Sequence, residues 1–570
     1  MKIHFIARLL LMGSILLSLC LVEVANSQPK AQSIEVAIDQ LLEPFDRSDA
    51  PGLAVGVIFK GETIYSKGWG MADLENKVRL TPDSVFDIAS VSKQFAGMAV
   101  AILESENKLK LNDRVMAHVH GLPDVFNPVS LDHLLHHTSG IRDWPGTLVL
   151  GGRRFDDVIE FDDILEMARR QEALSFTPGD KFSYSNTGYN LLARTVETVT
   201  GNDFSNWMKE NVFHPLDMTD SHFHDNLGRV IPRRVRSYQG NKNGPFRNVG
   251  NQLMALGSSS LYSTVNDLLK WMHHFEDPKI TTSDVIQRMM EPGKLNNGNS
   301  TGYAYGFGIG KYRGTKRVSH SGAWAGFRTY LLYLPEFQFG VVVLSNWSGL
   351  NTSSYAYKIA NLVLDNEPSK PVPLASEEQS SQINAPISFS DVDWKKWQGI
   401  YSSTGNSDSV IQLFERNAQP WIELPDGRGF KLLPTSTTEF VHSKLNIRVS
   451  CSSGINGWPK KLSIKSPDWT GNAEERASAN FEESELKDYV GIYQSTELLT
   501  EYRIEESGRN LKAIHHRHAP VLLQRFSKDR FTSKVWYWSQ VDFDRDSSGK
   551  ISGLRVTQGR NHNMLFRKKD

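Results

Sequence analysis

Apolar positions along the chain change period several times, and each change marks an element. Leu53 to Phe59 reads Leu-Ala-Val-Gly-Val-Ile-Phe and ends at Lys60-Gly61, which predicts a strand closed by a turn. From Ser90 to Glu104 the apolar residues Phe95, Met98, Ala99, Ile102 and Leu103 fall on one helix face. After the turn signal Pro178-Gly179-Asp180, Tyr189 to Val199 reads as another helix. The Val-Val-Val-Leu run inside Gly340 to Ser345 predicts a buried strand. Helix and strand patterns are therefore mixed from about 33 to 365, which reads as one domain.

Periodicity fades over 366–390, where Pro, Ser, Glu and Gln accumulate, and this stretch is expected to be a linker. The tail then repeats itself. Trp397-Gln398-Gly399-Ile400-Tyr401 is echoed by Tyr489-Val490-Gly491-Ile492-Tyr493, and Leu432-Leu433 before Phe440 by Leu522-Leu523 before Phe531. Both copies alternate polar and apolar residues between Gly, Asp and Ser turns, so two small antiparallel barrels or sandwiches are expected, over 391–485 and 486–570. Val541 to Gly549 has acids spaced like the start of a calcium loop, but no Glu closes it, and a hairpin turn is the expectation.

At the other end, Lys2 and Arg8 precede an apolar run from Leu9 to Val22, followed by Ala25-Asn26-Ser27. That order is an export signal over 1–27, with cleavage expected before Gln28 and a periplasmic or secreted location. The run is short for a membrane span, and the surroundings of Cys20 match a lipidation signal poorly. Once the signal is removed, Cys451 is the only cysteine, so no internal disulfide is expected and stability rests on core burial. Lys+Arg and Asp+Glu balance at 64 each, which gives no electrostatic footprint for nucleic acid.

Three short motifs carry chemistry. Phe86-Asp87-Ile88-Ala89-Ser90-Val91-Ser92-Lys93 contains S-x-x-K at the start of a predicted helix. Residues three apart share a helix face, so Lys93 reaches the Ser90 hydroxyl, which needs a base to become a nucleophile. Alone, the pattern is better read as an N-cap serine with a solvated lysine. The second motif, Tyr184-Ser185-Asn186, sets a phenol and an amide on one side of a short loop. The third, His320-Ser321-Gly322, leads toward the strand ending Tyr330-Leu331-Leu332-Tyr333-Leu334, and its small residues let the backbone run close to a substrate. The amide of Ala323, with that of Ser90, is a candidate oxyanion pair. His133, His136 and His137 share a helical spacing but match no zinc-ligand pattern, so no metal is expected, and no cofactor. His515-His516-Arg517-His518 reads as an exposed strand or turn.

In this order and spacing, the three motifs resemble those of the penicillin-recognising serine hydrolases, on the branch of class C β-lactamases, DD-peptidases, related esterases and D-aminopeptidases. Leu134-Leu135-His136-His137-Thr138-Ser139-Gly140 and Pro215-Leu216-Asp217-Met218 resemble further segments of that family. The resemblance covers about residues 45 to 350. It implies an α/β (α+β) β-lactamase/transpeptidase-like catalytic domain, here followed by two antiparallel β-barrel domains resembling lipocalin-type modules. It also implies Ser90 as nucleophile, Lys93 as its base or proton relay and Tyr184 as the base for deacylation. Asn186, His320, Ser321, Gly322 and Ala323 would then bind substrate.

Three departures stand out, and the first bears on the substrate. His320 stands where β-lactamases of the family carry lysine, and a histidine is only partly charged near neutral pH. Gly257-Ser258-Ser259-Ser260 replaces a more glycine-rich stretch and His136 the usual threonine, and these two bear on the fine shape of the pocket and not on the mechanism. The resemblance therefore implies a D-aminopeptidase- or DD-peptidase-like amidase acting through an acyl-enzyme on short peptides or peptidoglycan fragments. A carboxylesterase, a β-lactamase and a catalytically silent ligand-binding protein are the other readings. The partner is a small-molecule or short-peptide substrate, and oligomeric state is not legible.

Overall fold

The computed structural model describes residues 34–365 and 387–569, apart from short stretches between 404 and 482. The export signal over 1–27 and the linker as far as 386 lie outside the described residues. The chain divides into two compact units. Among the described residues, the first comprises 34–140, 155–169 and 176–365, and the second comprises 141–154, 170–175 and those from 387 onward.

The first unit is built on a six-stranded antiparallel sheet. Its strands are β1 (Leu53–Phe59), β2 (Glu62–Trp69), β3 (Gly308–Tyr312), β4 (Thr315–Trp324), β5 (Phe327–Leu334) and β6 (Phe339–Ser345), in the order β3-β4-β5-β6-β1-β2. The helices that matter below are α1 (Lys93–Ser105), α2 (Leu131–Leu135), α3 (Asn186–Thr200), α4 (Val265–His273) and α5 (Thr352–Leu364).

Leu53, Val55 and Val57 of β1, with Phe339, Val341 and Val343 of β6, share a core with Ile359, Ala360 and Val363 of α5. The intervening residues face α4. A Cβ on Gly56 would come within 2.5 Å of Val265, and one on Gly340 within 2.8 Å of the Met272 sulfur. Glycines at these positions bring the helix close to the sheet. Both faces are covered, which is why β1 and β6 read as continuous apolar runs rather than alternating ones. Each fully buried Val or Leu contributes about 1.5–3 kcal/mol.

In the second unit the later repeat copy forms a closed eight-stranded barrel from Gly491–Ser495 to Asn561–Lys568. The earlier copy is a nine-stranded antiparallel sheet rather than a laddered barrel. Its outermost strands, Gly429–Lys431 and Leu433–Pro434, are neighbours in the chain, and among the described residues its two edges meet at Leu432 without a ladder between them. Pro434 has no N–H to give a ladder there. The repeat is visible in detail: Tyr401 donates to the Trp397 carbonyl at 2.6 Å, and Tyr493 to the Tyr489 carbonyl at 2.7 Å. Leu432 and Phe440 in one copy, and Leu523 and Phe531 in the other, are all buried. Ile387 and Phe389, inside the expected linker, already pack on the core of the nine-stranded sheet.

The expected unbroken domain over 33–365 is interrupted because 141–154 packs with the barrel. Leu150, from the helix Trp144–Leu150, joins the barrel core. The Asp143 amide donates to Asn561 Oδ1 at 2.6 Å, and Tyr502 donates to the Leu150 carbonyl at 3.1 Å. Arg142 and Glu497, 2% and 3% exposed, form a forked ion pair with one limb at 3.1 Å. Removing one partner leaves the other charge buried. Glu497→Ala is therefore expected to lower the stability of this unit by roughly 3–5 kcal/mol, read as a shift in its denaturant midpoint.

Candidate active site

The S-x-x-K motif is held by its own backbone. After the short strand Phe86–Asp87 the chain enters a 3-10 turn, Ala89–Ser92, which leads directly into α1. Ala89 takes φ 49°, a left-handed conformation that a side chain disfavours. The Asp87 carboxylate holds it there by accepting the Ala89 N–H at 2.7 Å. The other Asp87 oxygen accepts from Asn251 Nδ2 at 2.6 Å, and Asn251 Oδ1 accepts from the Trp324 indole at 2.9 Å. One network therefore ties the turn carrying Ser90 to the end of β4.

Lys93 opens α1 and is fully buried. Its Nζ is 2.7 Å from Asn186 Oδ1, 2.6 Å from the Ser258 carbonyl and 3.2 Å from Ser90 Oγ. The first two groups can only accept. A neutral amine gives them its two N–H bonds, which leaves its lone pair toward the Ser90 hydroxyl. Nζ also lies 4.9 Å from the Tyr184 ring centre and 5.7 Å from that of Tyr189.

Asn186 is the first residue of α3, capped by Ser185, whose hydroxyl accepts the Gly188 N–H at 3.3 Å. The Ser185 N–H donates to His137 Nδ1 at 3.1 Å, and the His137 ring packs against Tyr184 at 4.2 Å and Tyr303 at 4.4 Å. His137 is thus the floor under Tyr184. His133 instead completes a capping box with Ser130, and His136 meets Asp132, so the three histidines have separate partners.

The His320-Ser321-Gly322 motif lies within β4, not in a turn before it. β3 pairs with β4 only as far as Ser319, so beyond that residue the β4 edge carries no β3 ladder. Gly322 and Thr329 of β5 stand opposite one another on the face toward the nucleophile turn. A Cβ on Gly322 would lie 2.1 Å from Thr329 Oγ1 and 2.4 Å from the Ile88 carbonyl. The close approach that glycine permits is therefore to the Ile88–Ala89 backbone, where the sequence suggested a substrate. Thr329 seals it by donating to the Ile88 carbonyl at 2.9 Å. Ser321 and Ala323 are exposed on the alternate positions of the strand.

His320 is 8% exposed. Its Nδ1 is 2.7 Å from the Ser321 carbonyl and its Nε2 is 2.9 Å from the Tyr303 hydroxyl. A carbonyl only accepts, so Nδ1 carries the hydrogen and Nε2 accepts from Tyr303. Burial pushes His320 down to about 3, and Lys93 adds to the shift whenever its amine is charged. The imidazole is neutral at pH 7, rather than partly charged as its type alone suggests. Burial, reinforced by Tyr189 and Tyr184, holds the Tyr303 phenol well above its ordinary value, so it remains a donor.

Asp87 is perturbed in the opposite sense to a usual paired carboxylate. Burial pushes it up to about 6, against the bonds from Ala89 and Asn251 and the charge of Arg234. A raised folded value means that the folded chain holds this proton more tightly than the unfolded one. The associated stability is present below about pH 4 and lost as pH rises through 6. Activity runs the other way, because both oxygens accept only when ionised. We expect kcat to fall below a midpoint near pH 6, and Asp87→Asn to remove that limb while lowering kcat about 10- to 100-fold, as measured in kcat–pH profiles.

Asp87, Asn251, Tyr303 and the Ser258 carbonyl were not singled out for function from the sequence. Only Asp87, three residues before Ser90, had a positional signal. The Ser258 carbonyl had none, because every residue carries one.

The beta-lactamase family profile matches residues 38–363. Penicillin-binding protein 4* of Bacillus subtilis is 25% identical over 415 residues, which cover 69% of this chain and 88% of that protein. The D-aminopeptidase of Gluconobacter oxydans is 26% identical over 315 residues, covering 55% of this chain and 58% of that protein. This chain thus spans little more than half the length of that D-aminopeptidase. Among solved structures, the octameric penicillin-binding protein homologue of Pyrococcus abyssi matches with TM-score 0.54 and 23% identity, over 77% of this chain and 99% of that one. The D-amino acid amidase of Ochrobactrum anthropi matches with TM-score 0.50 and 21% identity, over 58% of this chain and 99% of that one. These two likenesses are of fold.

Proposed function

Because the chain belongs to the beta-lactamase family of serine hydrolases, we propose that it is an amidase of D-aminopeptidase or DD-peptidase type, acting on short peptides or peptidoglycan fragments. The observation that carries this reading is the placement of Lys93 Nζ, bonded to Asn186 and Ser258 and 3.2 Å from Ser90 Oγ. In acylation the Ser90 hydroxyl gives its proton to neutral Lys93, and Oγ attacks the substrate carbonyl. The Ser90 and Ala323 amides receive the developing oxyanion. The tetrahedral intermediate expels the amine, which takes a proton returned by Lys93 through Tyr184. Water then attacks the ester carbonyl, giving a proton to Tyr184 as Tyr184 passes its own to neutral Lys93, and Lys93 returns that proton to Ser90 Oγ as the acyl bond breaks.

The electrostatics favour the D-aminopeptidase side of this reading over a carboxylate-reading DD-peptidase or a β-lactamase. Lys93 is engaged with Asn186, Ser258 and Ser90, and His320 is neutral. A substrate that relies on a cation for its carboxylate is poorly served.

The test is a panel of D-alanyl amides, p-nitrophenyl esters and a chromogenic cephalosporin, with fluorophosphonate labelling of Ser90. Release of D-alanine from the amides is the expected result. Ester turnover alone would make the protein a carboxylesterase, and failure to label would leave a binding protein. We also place its work outside the cytoplasm, on the pattern over 1–27. A mature protein beginning at Gln28 is the result expected from N-terminal sequencing.

A further inference from the structure

We infer that Arg234 is a positioning residue for the nucleophile: through the Tyr262 phenol it supplies the counter-charge of the buried Asp87 carboxylate, and so holds the turn on which Ser90 rides. The inference rests on Ser90 as the nucleophile and is independent of which acyl group the enzyme takes.

Asp87 is fully buried, and a carboxylate so placed stays ionised only where hydrogen bonds and opposite charge replace its lost water. The hydrogen bonds come from the Ala89 N–H and from Asn251 Nδ2. The opposite charge comes from Arg234, which works against burial at Asp87. The guanidinium is half-buried, and among the described residues it forms no salt bridge of its own. Its Nη2 donates to the Tyr262 hydroxyl at 2.9 Å, and it lies 5.1 Å from the centre of that ring. The same hydroxyl accepts from Asn251 Nδ2 at 2.8 Å, the nitrogen that also reaches Asp87. Both hydrogens of that amide are thus engaged, one on Asp87 and one on the oxygen that Arg234 holds.

The backbone brings these groups together. Val85 bridges to Arg234 on one side, and on the other Asp87 pairs with Tyr262 of the strand Leu261–Ser263. Tyr262 pairs in turn with His222, so Asp87, Tyr262 and His222 stand in register across three strands. Around Tyr262, His222 stacks at 5.7 Å and His224 lies at 4.9 Å. Burial, with the Arg229 and Arg234 charges, pushes both imidazoles down to about 4, so they are neutral at pH 7. Burial and the Asp87 charge raise the Tyr262 phenol, which keeps its hydrogen. Asp225 and Arg229 are exposed and pair with one another at 2.8 Å. Without the Arg234 charge, Asp87 keeps hydrogen bonds alone and takes up its proton at higher pH. The protonated carboxyl is a poorer acceptor for the Ala89 N–H, and the left-handed turn before Ser90 is released.

The experiment follows the second-order rate of Ser90 labelling by a fluorophosphonate across the acid limb and into the alkaline plateau. It compares the wild-type chain with Arg234→Gln, Arg234→Lys, Tyr262→Phe, and Asp87→Asn with and without Arg234→Gln. In Arg234→Gln the midpoint of the acid limb is expected to rise by about one pH unit, slowing labelling about fivefold near pH 6 and hardly at all near pH 8. Arg234→Lys, which returns the charge without the planar fork, is expected to recover about half of that shift. Tyr262→Phe should move the limb in the same direction. In the Asp87→Asn background, Arg234→Gln is expected to change the rate by less than about twofold at any pH, whereas a merely structural arginine would slow both backgrounds alike. An unmoved midpoint in Arg234→Gln, or an equal loss in the Asp87→Asn background, overturns the inference. Should Arg234→Gln not fold, an unmoved midpoint in Tyr262→Phe overturns it as well. A wild-type chain whose Ser90 takes no label overturns the assignment of the nucleophile and the inference with it. Amide turnover does not enter the comparison, so failure of the amidase reading leaves the outcome intact.

Discussion

Ser90→Ala is expected to abolish covalent labelling and to lower kcat/KM by about 10⁴- to 10⁶-fold, the scale seen when the nucleophile of a serine hydrolase is removed. The physical reason is that the rest of the site keeps its shape. Lys93 retains Asn186 and the Ser258 carbonyl as acceptors, and the turn retains its bond from Ala89 to Asp87. What is lost is the one oxygen able to form the acyl bond. Ser92 is an internal control, since its hydroxyl is buried and donates to the Ala89 carbonyl at 2.5 Å. Intact-mass and peptide spectra of the fluorophosphonate-treated protein should show an adduct on Ser90 in the wild type and none in the variant. An adduct on another residue, or undiminished turnover by Ser90→Ala, would refute the assignment of the nucleophile.

Gly322→Ala should be nearly as damaging, though the added group is one methyl. Its Cβ would be 2.1 Å from Thr329 Oγ1 and 2.4 Å from the Ile88 carbonyl, and the second of these is backbone. β4 and the nucleophile turn must move apart. Because β4 carries Ala323 and the turn carries Ser90, the candidate oxyanion donors separate. A displacement of about 1 Å costs on the order of 100-fold in rate. We expect kcat to fall by about that factor with a smaller change in KM. Adding Thr329→Ala removes the nearer clash but leaves the Ile88 carbonyl, so at most part of the rate should return. Full recovery in the double variant would show that the carbonyl contact is unimportant.

Much of the site was legible because its spacing is local. Ser90 and Lys93 are one helical turn apart, and Tyr184 and Asn186 flank a helix start, so side-chain identity and spacing sufficed to pair them. The buried strands β1 and β6 were equally plain, since apolar residues on both faces leave an unbroken run. What escaped notice was the support around those residues. Ser258 contributes a carbonyl, which no side chain advertises. Tyr303 and His320 are seventeen positions apart in a loop and a strand, and Asp87 meets Asn251 across 164. Arg142 finds Glu497 across 355 positions, which is why the excursion over 141–154 looked like ordinary catalytic-domain chain.

The sequence by itself determined which side chains are the candidates for chemistry, because S-x-x-K and Tyr-x-Asn fix type and spacing within a turn or two of backbone. It also determined that a repeated, turn-punctuated tail would be antiparallel. Only the tertiary structure decided their electrical state and their neighbours. A histidine becomes reliably neutral, and an aspartate shifts toward pH 6, through loss of water around them, and that loss is set by segments far away in the chain. The same holds for the glycine of the third motif, whose necessity comes from a strand pressed against a turn more than two hundred residues earlier.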